Sequence, residues 1–244
     1  MHASTMYRIL FMLVFFATPA WAIEKLNYPQ VVKDRMQVEY LGFAEQEAPS
    51  GDRWRTRVQT TYGLTDRIDV ALSYLAENQE GMHTRSVGPS ARLKYEMTEQ
   101  DDWWLSSAVQ LRYTHATDGR ANTLNTRLML QRDFGDWLST ANFSVIRGIG
   151  EKRDPSVAVT GAAQLLYQYA PEISPGIEVF HSFGAVNDLD YTGRNSQEIG
   201  PIVAGALPLA DQQQITYVLG YYRGLSAESP EQSAKLQVNY VVDF

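Results

Sequence analysis

The chain closes on Leu236-Gln237-Val238-Asn239-Tyr240-Val241-Val242-Asp243-Phe244. Leu236, Val238, Tyr240, Val242 and Phe244 put apolar side chains at alternate positions. Successive side chains leave a strand on opposite sides, so a period of two gives one apolar and one polar face. The last side chain is an aromatic ring on the apolar face. Soluble proteins seldom finish a strand this way.

Such an ending resembles the closing strand of bacterial outer-membrane β-barrels, which carries the signal read by the barrel-assembly machinery. The resemblance implies that Leu236, Val238, Tyr240, Val242 and Phe244 are the assembly signal and that this machinery is a partner. It also implies residence in the outer membrane of a Gram-negative bacterium, against outer-membrane lipid.

The opposite end of the sequence agrees. Arg8 precedes an apolar run over residues 9–16, followed by Ala20-Trp21-Ala22. A charged start, a short apolar stretch and an Ala-x-Ala site predict a secretory signal over residues 1–22, cleaved after Ala22. No other apolar run approaches the ~20 residues of a helical span. A membrane-spanning chain of this kind must therefore be a closed barrel, in which every backbone group is paired.

Composition narrows the function. The formal charge of −7 argues against nucleic acid as a partner. Cysteine is absent, so disulfides and thiolate metal sites are excluded. The histidines, His2, His83, His115 and His181, are scattered and form no ligand cluster. No metal and no cofactor is expected. The mean hydropathy of −0.29 is that of a soluble protein, but a barrel with a polar lumen has the same average.

Residues 23–35 are polar and are expected to form a periplasmic N-terminal segment. Twelve alternating segments follow: 36–43, 53–62, 67–76, 86–97, 103–115, 122–133, 137–146, 156–169, 177–183, 198–207, 214–221 and 234–244. Short connections alternate with longer ones, and an even count brings both strand ends to the periplasmic side. The predicted fold is all-β, a single 12-stranded antiparallel transmembrane β-barrel over residues 36–244. A soluble β-sandwich or lipocalin-like barrel would alternate in the same way, with its aliphatic face inward.

Aromatic placement separates the two. On the faces assigned outward, Tyr62, Tyr95, Trp103, Trp137, Tyr169 and Phe244 fall at periplasmic ends, and Trp54, Tyr74, Tyr113, Phe183 and Tyr221 at the others. Two such girdles match the preference of amphipathic rings for the membrane interface. Pro89 and Pro201 interrupt two strands. Because proline cannot donate to a ladder, bulges or fraying are expected there.

The same parity sends charge inward. Arg53, Arg55, Arg57, Arg92, Lys94, Arg112 and Arg127 form a predicted basic wall. Glu39, Asp69, Glu96, Asp133, Glu178, Glu198 and Asp243 are predicted inward carboxylates. Charges segregated across a pore favour solutes of one sign. Trp104, Leu138, Leu166 and Phe180 also have inward parity and would narrow the lumen.

Tyr62-Gly63-Leu64-Thr65-Asp66-Arg67-Ile68-Asp69, Pro175-Gly176-Ile177-Glu178-Val179-Phe180 and Ile199-Gly200-Pro201-Ile202-Val203 together resemble the outer-membrane barrel family of meta-pathway phenol-degradation proteins, often labelled transporters. The resemblance follows the order of elements over most of the mature chain. It implies an outer-membrane barrel tied to uptake of aromatic or other small organic compounds, and it supplies no catalytic residue. The expected function is passive transport of small organic solutes, anionic or aromatic, through a partly basic lumen. A non-conducting barrel with a scaffold or partner-binding role is the alternative. A third is a lipid hydrolase: His115 and Thr117, with Asn122 and Asn125 downstream, faintly resemble the histidine–serine–asparagine set of an outer-membrane phospholipase.

Overall fold

The computed structural model describes residues 25–46, 48, 51–79, 85–150, 157–186, 188–189 and 195–244. The predicted signal over residues 1–22 lies outside them. The alternating pattern becomes strands β1 (Arg35–Gln46), β2 (Arg53–Gly63), β3 (Ile68–Gln79), β4 (Arg85–Thr98), β5 (Ser106–Thr114), β6 (Asn122–Phe134), β7 (Trp137–Ile149), β8 (Val157–Tyr167) and β9 (Ser174–Ala185). They continue as β10 (Asp188–Leu189), β11 (Gln197–Ala210), β12 (Gln213–Gly224) and β13 (Gln232–Asp243). β10 is a two-residue stub paired with β9. The other twelve close a ring, because β1 pairs with both β2 and β13 and β8 pairs with β9, all antiparallel. Closure leaves no long edge unpaired.

The closing strand shows why the outer face is greasy. Leu236, Tyr240 and Phe244 are exposed, while Lys235, Gln237 and Asn239 between them are buried. Tyr62, Tyr95, Trp103, Trp137 and Tyr169 are exposed at the rim where β1 starts and β13 ends, and Trp54, Tyr74, Tyr113 and Tyr221 at the other. The aliphatic residues between the girdles, such as Leu72 and Val58, are exposed as well. An apolar exterior around a polar interior is the inverse of a soluble fold, and it suits lipid.

Two local departures follow from proline. At Pro89 the β3–β4 register shifts between Leu75 and Ala76, opposite Gly88, whose φ of 128° only glycine adopts without strain. At Pro201 the β11–β12 pairing runs through Ile199 and resumes at Ile202 in unchanged register, skipping Gly200 and Pro201. Trp104 departs differently: it sits in the turn before β5 and is 57% exposed, not in the lumen. The strand begins at Ser106, three residues later than the alternation suggests.

The short turns all lie at the β1-start rim, the periplasmic side of bacterial barrels. They are acidic: Asp66, Glu99, Asp101, Asp102, Asp136, Glu172 and Asp211 are exposed there. Asp133 belongs with them. Its parity is inward, but it lies at the rim, exposed, accepting a hydrogen bond from Gln168 at 3.0 Å.

Residues 25–31, within the segment expected in the periplasm, are inside the barrel. Lys25, Leu26, Asn27 and Pro29 are buried in the lumen, and the chain emerges at Val32 before turning into β1. The turn is made at Asp34, with φ of 57°. Its N–H donates to Gly63 O at 3.0 Å, its carbonyl accepts from Phe244 N–H at 3.1 Å, and its carboxylate accepts from Tyr62 OH at 3.0 Å. One residue thus ties β2, the end of β13 and the inserted segment. Once inside, the segment's backbone groups are cut off from bulk water and must find partners, and the polar lumen supplies them.

Candidate functional site

The lumen is the site. Asn142 takes both backbone groups of one residue: Asn27 N–H donates to Asn142 Oδ1 at 2.7 Å, and Asn142 Nδ2 donates to Asn27 O at 2.9 Å. Arg127 Nη1 donates to Lys25 O at 3.0 Å. Lys94 Nζ donates to Gln30 O at 2.6 Å, and Val31 N–H donates to Glu96 Oε2 at 2.6 Å. Tyr28 OH donates to Gln164 Oε1 at 3.0 Å. Strands β4, β6, β7 and β8 therefore hold residues 25–31 by side-chain contacts to backbone and side chain.

The inward charges are paired across neighbouring strands. Arg53 Nη2 lies 2.5 Å from Glu45, which also receives Arg55. Glu39 receives Lys25 and, at 3.4 Å, Arg57. Asp69 receives Arg92 at 2.5 Å and Lys94 at 2.9 Å. The seven predicted basic residues all have lumen-facing positions, but a continuous uncompensated wall does not exist. Buried charges must be paired, and register brings carboxylates opposite: Glu45 faces Arg53. Arg112 is different. Its hydrogen bond goes to the neutral Gln59 Oε1 at 2.9 Å, and it makes no ion pair among the described residues.

The far wall carries acid and grease together. Glu178 and Glu198 are 0% exposed. Glu178 receives Lys235 and the Tyr222 hydroxyl at 2.5 Å; Glu198 accepts from Ser233 at 2.6 Å. The Lys235 ammonium lies 5.5 Å from the Phe180 and Tyr222 ring centres. These rings belong to a buried apolar cluster with Leu41, Phe43, Leu166 and Ile202, against which Leu138 packs. Asp243 is half-exposed at the rim where β1 starts, paired with Arg35 at 2.5 Å.

Glu45, Glu77 and Lys235 escaped the sequence reading, although they share parity with residues it assigned. Glu45 lies two positions beyond the expected end of the first strand. Lys235 alternates with Leu236 and was legible in the closing stretch itself.

Two cavities meet at Lys25. One, of about 410 Å³, opens beside the segment, between Tyr28 and Gln30 on one side and Gln37, Thr216, Gln237 and Asn239 on the other. The second, of about 90 Å³, lies beyond Lys25 and is lined by Arg55, Arg57, Arg112 and Glu77. The hydrolase set is not assembled. Thr117 Oγ1 donates to Ser86 O at 3.0 Å, and no hydrogen bond joins it to His115 among the described residues.

No family model matches the sequence, and no curated protein matches it. The fold, however, has solved counterparts. The crystal structure of an outer membrane channel from Pseudomonas putida F1 superposes with a TM-score of 0.62 at 16% identity, covering 91% of this chain and 100% of that one. The chain has the fold of an outer-membrane channel barrel. NanC porin gives a TM-score of 0.57 at 8% identity over 85% of this chain and 100% of its own. KdgM porin, solved also with disordered oligogalacturonate, gives 0.55 at 9% identity over 85% and 99%.

Proposed function

We propose that the protein is an outer-membrane channel that passes small organic solutes by diffusion through a lumen narrowed by residues 25–31. The observation that carries this reading is the cavity of about 410 Å³ beside the inserted segment inside a closed barrel. Its lining mixes glutamine, asparagine and threonine with the ion-paired Asp69, Arg92 and Lys94 and with apolar Leu138 and Val218, so a solute meets several weak contacts and no single deep trap, which conduction requires. The apolar exterior and aromatic girdles support residence in outer-membrane lipid, and the outward face of Leu236 to Phe244 supports recognition by the assembly machinery. The resemblance to phenol-degradation barrels supports small organic compounds as the solute class.

The inserted segment favours one competing reading, a barrel that is closed at rest and serves as a scaffold. Planar-bilayer recording of purified protein decides between them. The channel reading expects discrete current steps from the full chain, enlarged when residues 25–31 are deleted. Current only after that deletion supports the closed barrel, and no current from either protein overturns the channel.

A further inference from the structure

Lys25 separates two cavities of different chemistry, and the smaller has the composition of a binding site. Four cations, Lys25, Arg55, Arg57 and Arg112, reach its lining, against one carboxylate, Glu77. Glu45 and Glu39 sit outside the lining and are engaged, the first by Arg53 and Arg55, the second by Lys25. Arg57 reaches Glu39 only at 3.4 Å, and Arg112 reaches no carboxylate among the described residues. The Nε groups of Arg57 and Arg112 are buried without a hydrogen-bond acceptor among the described residues. Guanidiniums left with unused donors in a polar chamber are short of one acceptor-rich anion.

Beside these cations the lining is apolar: Leu75 pairs across the ladder with Arg57, and Leu41, Phe43, Val87 and Ile146 reach the same chamber. A ligand must therefore offer a charged head and a hydrocarbon tail. Size limits the tail. The cavity measures about 90 Å³, against the ~150 Å³ of a dry pocket that holds a benzene ring. A ring does not fit, and a two- or three-carbon chain does.

From this geometry, and resting on the channel reading, we infer that the chamber is a binding station for short aliphatic monocarboxylates, with the carboxylate on Arg57 and Arg112 and the alkyl tail on Leu75, Val87 and Ile146. The site sits on the route past Lys25, so it sets which anions dwell in the pore.

Calorimetric titration of the folded protein in detergent tests the station without requiring conduction. Propionate is expected to bind, with propionamide, its neutral isostere, giving no measurable heat of binding and benzoate binding more weakly. Arg112→Gln and Arg57→Gln are each expected to weaken propionate about tenfold or more, the loss of one charge-assisted contact. Arg132→Gln, at the outer surface over Trp104, is expected to leave it unchanged. Heat-modifiable migration on a gel verifies folding of each variant, and Arg57→Lys, which keeps charge but loses the fork, serves if Arg112→Gln does not fold. Propionate indistinguishable from propionamide, benzoate binding tighter, or full affinity in the arginine variants overturns the assignment. Bilayer current measured in parallel keeps the two ideas apart: binding without current sinks the channel reading alone, and current without binding sinks the station alone.

Discussion

Gly63 is where the inserted segment leaves the barrel, and it is glycine because nothing larger fits. A Cβ placed there would fall 1.9 Å from the Val32 carbonyl oxygen. Valine is favoured in strands, so Gly63→Val is expected to leave β2 paired while driving the segment off its course, and to raise single-channel conductance over the parent. Unchanged conductance would show that the segment has another exit. Asn142 is the complementary anchor, since it satisfies both polar groups of Asn27. Asn142→Ala leaves a buried N–H and C=O without partners, at a cost of about 2 kcal/mol. Hydrogen exchange at the Asn27 amide is the direct reading, and its protection is expected to fall while that of β7 amides holds.

At the level of elements, the strand ends are where reading and structure part. Period two fixes which face a residue takes, so the outward aromatics from Trp54 to Phe244 were legible without coordinates. It does not say where pairing stops, which is why the first strand runs on to Gln46 and gains Glu45. Nor does it distinguish a polar stretch in water from one in a polar lumen. Residues 25–31 have the composition of a solvated linker, and only side chains distant in sequence, from Lys94 to Asn142, reveal otherwise. The closing strand makes its own prediction. Deleting Phe244 removes the N–H bonded to Asp34 and the terminal ring of the outward face. Folded, heat-modifiable protein in the outer membrane is expected to fall several-fold, with degradation of the remainder; an undiminished yield would count against Phe244 as an assembly signal.

For the whole molecule, closure was legible and charge balance was not. An even number of alternating segments with alternating turn lengths predicts a ring. Ion pairing depends on register between strands, which the linear order of Arg53, Arg55 and Arg57 does not contain; Glu45 takes two of the three. The acidic turns have a wider consequence. Asp66, Glu99, Asp101, Asp102, Asp136, Glu172 and Asp211 crowd one mouth, while Arg55, Arg57 and Arg112 lie beyond Lys25. An anion driven from the outside meets attraction first and repulsion last, and the reverse journey begins with repulsion. Current carried by anions is therefore expected to be larger at one polarity than at the other in symmetric low salt. The asymmetry should fade as ionic strength approaches 1 M, where screening reaches only ~3 Å. A linear current–voltage curve at low salt would refute it. A ring that looks symmetric is thus expected to pass anions as a rectifier does.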